Sequence, residues 1–445
     1  MITARAFAGK KYAVYGLARS GLATAAALVA TGAEVTAWDA KDEARAKAPD
    51  GVRIANLDEA DLSQFDSLVV TPGLPLNRHP IAARAREAGV EIIGDIELFA
   101  RARPELPPHK VVGITGTNGK STTTALVHHI LETAGVPTTM GGNIGLPILA
   151  QDPLTPNDKG VGVYVLELSS YQIDLTQSLD CDVAVLLNIT PDHLDRYESF
   201  EAYAASKARL FEMQSTPHAA IYNLDADEAV IVERALGDAG AWWFTDAGHG
   251  LPDQVHWPSL QGPHNAQNVE AARKVADYLA IPGDVVSKAL HTYPGLPHRM
   301  ERIRERDGVL FVNDSKATNP TATAPALAAF DRIRWICGGQ AKTDNLDECA
   351  PHFGHVVKAY TIGEAGELFA GLLSSHMAVA ECETLERAVG AAAAEAESGD
   401  TVLLSPACAS FDQFRDFEDR GDQFRALVGV LSSRASRARS RPRPR

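Results

Sequence analysis

Lys120 and Ser121 close the stretch Lys110 to Thr122, KVVGITGTNGKST, in which a cation and a hydroxyl follow two glycines. Gly116 and Gly119 let backbone N–H groups face a phosphate without side-chain obstruction, Lys120 brings a point charge, and a helix beginning there adds its dipole. Ser121 is then placed to hold a magnesium ion. The generic phosphate loop GxxxxGK[ST] is not strictly matched, because its first glycine would fall at Ile114. The flanks of GTNGKST separate it from a chance glycine turn with a solvated lysine. The apolar run Val111 to Ile114 predicts a buried strand, and TTTALVHHILETAG from Thr122 predicts an amphipathic helix closed by Gly135.

Other polar residues sit where open α/β sheets place ligands. Glu167 ends a predicted strand beside the phosphate loop, His193 lies beyond the next strand in NITPDHLDRY, and Lys207 is on the following helix in YAASKARLF. An acid and a histidine near a triphosphate suggest metal ligation, although magnesium prefers oxygen. Each also has a plain explanation: a solvated strand-end carboxylate, a loop-capping histidine, a helix-surface charge. GPHNAQN supplies His264, Asn265 and Asn268, the two asparagines one helical turn apart so that both amides can face one ligand. LPHRMER supplies His298 and Arg299, a cationic fork suited to phosphate, and NDSKATNP supplies Asp314, Lys316 and Thr318 directly after a strand. Asparagines near boundaries are commonly turn formers and exposed arginines commonly solvated, yet these cluster at strand ends.

The elements that must position them alternate along the chain. Tyr12 to Tyr15, Glu34 to Trp38 and Ser67 to Val70 read as strands, with Gly21 to Ala30 helical and TPGLP after the third strand, which is the pattern of a parallel Rossmann-like sheet. Gly16-Leu-Ala-Arg-Ser-Gly21, with Asp39 after the next strand, is close to the dinucleotide fingerprint, but Ala18 stands where the middle glycine belongs. Its methyl would crowd a pyrophosphate, so a nicotinamide dinucleotide is disfavoured and a diphosphate ligand held differently stays open, as does a purely structural turn. The proline-rich joint Pro104 to Pro108 marks a first boundary. Strands at Val163 to Leu168 and Val183 to Ile189 and helices at Ser170 to Leu175 and Phe200 to Met213 follow. A second boundary falls near Pro297. Strands at Val309 to Asn313, Trp335 to Gly338, Ala359 to Ile362 and Thr401 to Leu404, with an alanine-rich helix Leu385 to Glu397, complete an α/β chain of three domains.

Bulk composition narrows the function classes. A formal charge of −15 over 445 residues argues against a nucleic-acid-binding surface. Five cysteines, an odd number without CxxC, fit reduced thiols in a cytoplasmic protein. The N-terminal MITARAFAGKK lacks the apolar core of a signal peptide, and no run approaches membrane-spanning length, so neither export nor membrane insertion is expected. Arg434 to Arg445, with six arginines, no acid and no apolar residue larger than alanine, is expected to be a disordered basic tail.

GTNGKST, ELSSYQ, NITPDHLDRY, the helix lysine, GPHNAQN, LPHR and NDSKATN occur in order between Gly116 and Asn319. Together they make the chain resemble the Mur ligase family, the ATP-dependent amide-bond-forming enzymes of peptidoglycan precursor assembly, and hence of cell-wall biogenesis and cell division. Within it, GDIELF (Gly94 to Phe99), GGNIGLP (Gly141 to Pro147) and SPACASFDQFRDFEDRG (Ser405 to Gly421) are similar to members that add D-glutamate. The DNPR-like signature of diaminopimelate-adding members is absent.

The resemblance implies a fold and a reaction. It implies a Rossmann-like domain for the UDP-substrate over 1–108, a central P-loop ATPase-like parallel sheet over 109–297, a Rossmann-like amino-acid domain over 298–433 and the tail 434–445. It implies that ATP phosphorylates the carboxylate of UDP-N-acetylmuramoyl-L-alanine and that the amine of D-glutamate attacks the acyl phosphate. The loop Gly116, Thr117, Asn118, Gly119, Lys120, Ser121 and Thr122 would hold the ATP phosphates, with Lys120 and Arg299 neutralising the transferring group. Two magnesium ions are implied, one on Ser121 and one on Glu167, His193 and Lys207. An ammonium cannot ligate a cation, so Lys207 is expected to be carbamylated. Asn265, Asn268 and His298 would face the adenine nucleotide, with Asp314 and Lys316 at its ribose and phosphates. D-glutamate would meet Thr318, Lys342, Ser410 and Phe417. UDP falls to Arg19, Ser20, Asp39 and Gly73, and Asn143 comes nearer the reacting carboxylate; Ala40 and Lys41 depart from the hydroxyl and arginine that relatives can carry there. The enzyme is expected to act as a monomer on small molecules, without nucleic acid. The competing readings are a related ligase adding L-glutamate or another amino acid, a folylpolyglutamate synthase, which should lack the UDP domain, a nicotinamide-dependent oxidoreductase, and a nucleotide-sensing module that needs no metal cluster.

Overall fold

Three sheets follow one another along the chain in the computed structural model, which describes residues 1–190, 192, 196–223 and 251–431 and the backbone of 240–244. His193 and the arginine-rich tail lie outside the described residues. The first sheet contains β1 (Lys11–Tyr15), β2 (Glu34–Trp38), β3 (Arg53–Ile54), β4 (Ser67–Val70) and β5 (Glu91–Ile93), all parallel, in the order β3-β2-β1-β4-β5. The second contains β6 (His109–Thr115), β7 (Thr138–Gly142), β8 (Gly162–Glu167), β9 (Val183–Leu186), β10 (Ala219–Asn223) and β11 (Gly240–Phe244), again all parallel, in the order β11-β10-β9-β6-β8-β7. In the third, β12 (Glu301–Arg306) pairs antiparallel with β13 (Val309–Asn313) at one edge. Its other strands are parallel: β14 (Ile333–Gly338), β15 (Val356–Ile362), β16 (Ala378–Glu383) and β17 (Thr401–Leu404), in the order β12-β13-β17-β14-β15-β16.

The sequence dictates which strands lie deepest. β4 (SLVV), β9 (VAVL), β14 (IRWICG) and β17 (TVLL) are buried at every position, as the central strands of helix-covered parallel sheets must be. β12 (ERIRER) alternates charge and exposure, as suits an antiparallel edge. The expected strands all form. β3, β5, β7, β10, β11, β12 and β16 were not expected; β7 (TTMGG), for one, has little apolar content to give it away.

By contact density the chain forms two compact units, Met1–His249 with Asn265–His291, and Gly250–His264 with Thr292–Arg445. The first holds two sheets over a shared core, with Phe99 meeting Tyr164 edge-on at 5.1 Å. Buried Glu97 ties the sheets further, accepting from the backbone of Gln177 (2.7 Å) and Ser178 (2.9 Å) and from Arg101 (2.8 Å). The second unit packs around Trp335, Phe369, Tyr360 and Phe424. Among the described residues no helix is long and apolar enough to cross a membrane, and all five cysteines are free and buried.

Candidate active site

β6 runs into Gly116, and the helix Lys120–Thr133 begins two residues earlier than the sequence suggests. Gly119 is the reason: at φ +82° it turns the chain left-handed at the N-cap, and a Cβ there would overlap Asn268 Oδ1. The same oxygen accepts from Thr123 Oγ1 (3.2 Å), and Asn268 Nδ2 donates to Asn265 Oδ1 (3.1 Å). The two asparagines expected near the nucleotide therefore brace the glycine turn. Asn188, after β9, holds the loop from the other side. Its Oδ1 accepts from Asn118 N (2.9 Å) and its carbonyl from Thr117 N (2.9 Å). Lys120 lies back on the loop, its Nζ donating to the carbonyls of Gly116 (2.9 Å) and Thr117 (2.7 Å).

Around this loop the second sheet brings Ser121, Glu167 and Lys207 together, because β6 lies between β8 and β9 and their C-terminal ends share one edge. Ser121 is buried in the first helical turn. Glu167 is buried at the end of β8; Asn143 Nδ2 donates to its Oε1 (2.8 Å), while its Oε2 is buried with no hydrogen-bond partner among the described residues. Lys207, on the helix Phe200–Glu212, is also buried and donates from Nζ to the Gly116 carbonyl (2.9 Å), 4.7 Å above the Tyr203 ring. Burial drives its amine well below the usual lysine value, and Lys120 pushes the same way against Asp192, Asp174 and Glu167. No group of three His, Cys, Asp or Glu side chains among the described residues could hold a metal ion. Of the residues expected at the two ions, Ser121, Glu167 and Lys207 are described, and His193 lies outside the described residues.

In the first sheet the order reverses at β1, so the turn Gly16 to Gly21 and the loop after β4 flank one crevice. Gly16 (φ +98°) has no room for a Cβ against the Thr71 hydroxyl. Asp39 accepts from the backbone at Leu17 N (2.8 Å) and Lys41 N (2.9 Å) and so shapes the turn. Arg19 and Ser20 open the helix Arg19–Ala30, and Gly73 is exposed in the facing loop. Ser20, Gly21, Thr24, Thr71 and Asp95 line a small cavity beneath the turn, where burial lifts the Asp95 carboxyl to about 6.

The second unit carries its own cluster at the ends of β13, β14 and β17. Lys342 Nζ reaches Thr318 Oγ1 (3.4 Å), and the Lys316 ammonium sits 3.8 Å over the Phe417 ring. Gln340 and Ala409 exchange two backbone hydrogen bonds of 2.9 Å, which sets Ser410 beside the Lys342 loop. Arg420 locks this arrangement. Fully buried, it donates to Ser315 Oγ (2.9 Å) and to the carbonyls of Ser315 (2.8 Å), Cys408 (3.1 Å) and Ala409 (3.3 Å), and burial lowers it only to about 10. His298 is buried, Asn313 Nδ2 lying 3.1 Å from its Nδ1, and a Cβ on Gly421 would overlap its ring. Asp314 faces inward: Oδ1 accepts from Met300 N (3.1 Å), Oδ2 from Ser405 Oγ (2.7 Å), and burial raises the carboxyl to about 7. Sequence reasoning assigned no role to Asn188, Tyr203, Asn313 or Arg420, although all four lie inside quoted motifs.

Family models match the chain in three consecutive parts: a Mur ligase MurD-like N-terminal domain over residues 10–94, a Mur ligase middle domain over 114–269 and a Mur ligase glutamate ligase domain over 298–408. A UDP-N-acetylmuramoylalanine--D-glutamate ligase of Novosphingobium aromaticivorans is 59% identical, covering 97% of this chain and 97% of that protein. The protein of that name from Sphingopyxis alaskensis is 56% identical over 97% of this chain and 100% of its own. Among solved structures, a MurF ligase of Thermotoga maritima in complex with ADP superposes with a TM-score of 0.58 at 16% identity, covering 96% of this chain and 97% of that one. A Thermotoga maritima UDP-N-acetylmuramate-alanine ligase gives 0.56 at 17% identity, covering 94% and 99%. These two likenesses carry the fold.

Proposed function

The chain belongs to the Mur ligase family, and from that premise we propose the reaction it performs and the residues that perform it. It is an ATP-dependent, ADP-forming ligase that adds D-glutamate to UDP-N-acetylmuramoyl-L-alanine in peptidoglycan precursor synthesis. The observation that carries its chemistry is the phosphate loop with a buried, unpartnered Glu167 oxygen and a buried Lys207 amine beside it.

A carboxylate is a poor acyl donor in water, and converting one oxygen into a phosphate leaving group removes that obstacle. The protein's share is positioning and charge neutralisation. Gly116 to Thr122 cradle the triphosphate, and Lys120, now resting on two loop carbonyls, swings its charge to the transferring phosphoryl group together with Arg299. Ser121 would offer an oxygen to one magnesium ion and Glu167 to a second, ions that when bound neutralise phosphate charge. Lys207 would join Glu167 at the second ion as a carbamate: a neutral amine adds to carbon dioxide and releases a proton, and burial shifts the amine toward that neutral form. His193 completes this set by family resemblance. Asn265, Asn268 and His298 serve the adenine nucleotide, with Asp314 and Lys316 at its ribose and phosphates; Asp314 also accepts from the Met300 backbone.

Arg19, Ser20, Asp39 and Gly73 border the UDP end and Asn143 orients Glu167 toward the reacting carboxylate. D-glutamate lies against Thr318, Lys342, Ser410 and Phe417, where an ammonium and hydroxyls suit a side-chain carboxylate that has left water. The three-domain division at 108 and 297, a cytoplasmic setting and a monomeric state complete the reading. It is tested by phosphate release from ATP with UDP-N-acetylmuramoyl-L-alanine and each of D-glutamate, L-glutamate and diaminopimelate. Release with D-glutamate alone is expected; release with L-glutamate or diaminopimelate instead would reassign the amino acid, and none with any would overturn the reading.

A further inference from the structure

Arg196 follows β9 in the second sheet but donates its hydrogen bonds to a loop of the first. Its guanidinium donates to three successive carbonyls of the loop after β4, those of Leu74 (2.8 Å), Gly73 (3.2 Å) and Pro72 (3.3 Å). Its carbon centre also lies 4.2 Å over the ring of Tyr171, in the helix Ser170–Asp174 that begins three residues after Glu167. Tyr171 stacks in turn on Tyr197, at 6.2 Å and 16°, and Tyr197 donates to Asp174 Oδ2 (2.8 Å).

A planar guanidinium fork is suited to hold several carbonyls in one fixed arrangement while its face stacks on an aromatic ring. The loop it holds faces the Gly16 to Gly21 turn across the switch point of the first sheet, and the helix it stacks on continues the Glu167 strand. We infer that Arg196 is a positioning residue for the sugar-nucleotide substrate: it fixes the Pro72 to Leu74 loop relative to the Glu167 segment, so that the bound carboxylate arrives in register with the phosphate loop. The inference rests on the proposed ligase reaction, and no residue of the ATP or glutamate sites contacts this guanidinium among the hydrogen bonds and ring contacts described.

The test uses the full chain, with Arg196→Ala and, as the conservative variant, Arg196→Lys, which keeps the charge and loses the fork. KM for UDP-N-acetylmuramoyl-L-alanine is expected to rise about tenfold or more in Arg196→Ala, the scale of one lost charge-assisted hydrogen bond, and by less in Arg196→Lys. KM for ATP and for D-glutamate should stay within about twofold of wild type, a split that a general loss of structure would not produce. Direct binding of the sugar nucleotide without ATP should weaken by the same factor. Should Arg196→Ala fail to fold, Arg196→Lys carries the same comparison. An unchanged sugar-nucleotide KM, or a rise shared equally by all three substrates, would overturn the positioning role. A wild-type enzyme that consumes no ATP with this substrate would instead overturn the reaction on which the inference stands.

Discussion

Lys207 and Arg420 are both cationic side chains buried to about the same degree, and the protein treats them in opposite ways. Arg420 donates four hydrogen bonds to Ser315, Cys408 and Ala409, so it remains a cation and holds two loops of the second unit together. Lys207 shares the single carbonyl of Gly116 with Lys120, which repels it, and is driven toward the neutral amine. Burial alone therefore does not decide what a charged group is for. Its hydrogen-bond complement does: a cation with four acceptors is structural, and an amine with a single carbonyl acceptor, in a site that also holds an orphan carboxylate oxygen, is chemically available.

That contrast is broken most directly by removing each residue. Lys207→Ala is expected to lower turnover by a factor on the order of 1000 or more, the scale of a lost group that acts at the transferring phosphate, without lowering the melting temperature. Phosphate-release assays paired with thermal melts check this, and a melting temperature that falls in step with activity would make Lys207 a structural residue like Arg420. Arg420→Ala should do the reverse in size. Leaving buried carbonyls without donors costs about 3 kcal/mol or more, read as a shift in the urea midpoint of the unfolding step of the second unit. Because Ser410 and Lys342 depend on the loops it holds, KM for D-glutamate should rise in Arg420→Lys while KM for ATP is largely kept.

Asp95 extends the comparison to the opposite sign. Burial lifts it from 3.8 to about 6, so between those values the folded chain keeps a proton that the unfolded chain has released. The folded pKa is raised, and for an acid this means stability contributed at low pH and lost as pH rises through the window. Asp95→Asn, which cannot ionise, should gain about 1 kcal/mol on wild type between pH 5 and pH 7.5, measured by chemical denaturation. An equal pH dependence of both proteins would show that the carboxylate is accommodated as an ion.

How far the sequence could be read follows from the range of the interactions. GTNGKST was legible because strand, glycine turn and helix are local, and the helix start was misplaced by two residues only because Gly119 already supplies the left-handed turn. Glu167 and Lys207 could be named as candidates, but nothing near them in the chain shows that they share one buried edge. Asn188 reads as one polar residue after a strand; its hold on Thr117 and Asn118 arises from β6 pairing with β9. Arg420 reads as one charge in FEDRG, and its burial depends on Ser315 and Cys408, 105 and 12 residues away. Asp39 reads as a ligand contact, and its further hold on the backbone of its own turn appears only once that turn is folded.

The central claim is that the buried amine of Lys207 is converted to an anionic metal ligand. Carbon NMR of the full chain equilibrated with 13C-labelled bicarbonate and magnesium tests it most directly. One carbamate resonance in wild type, absent from Lys207→Ala, is the predicted result; identical spectra without that resonance would contradict it.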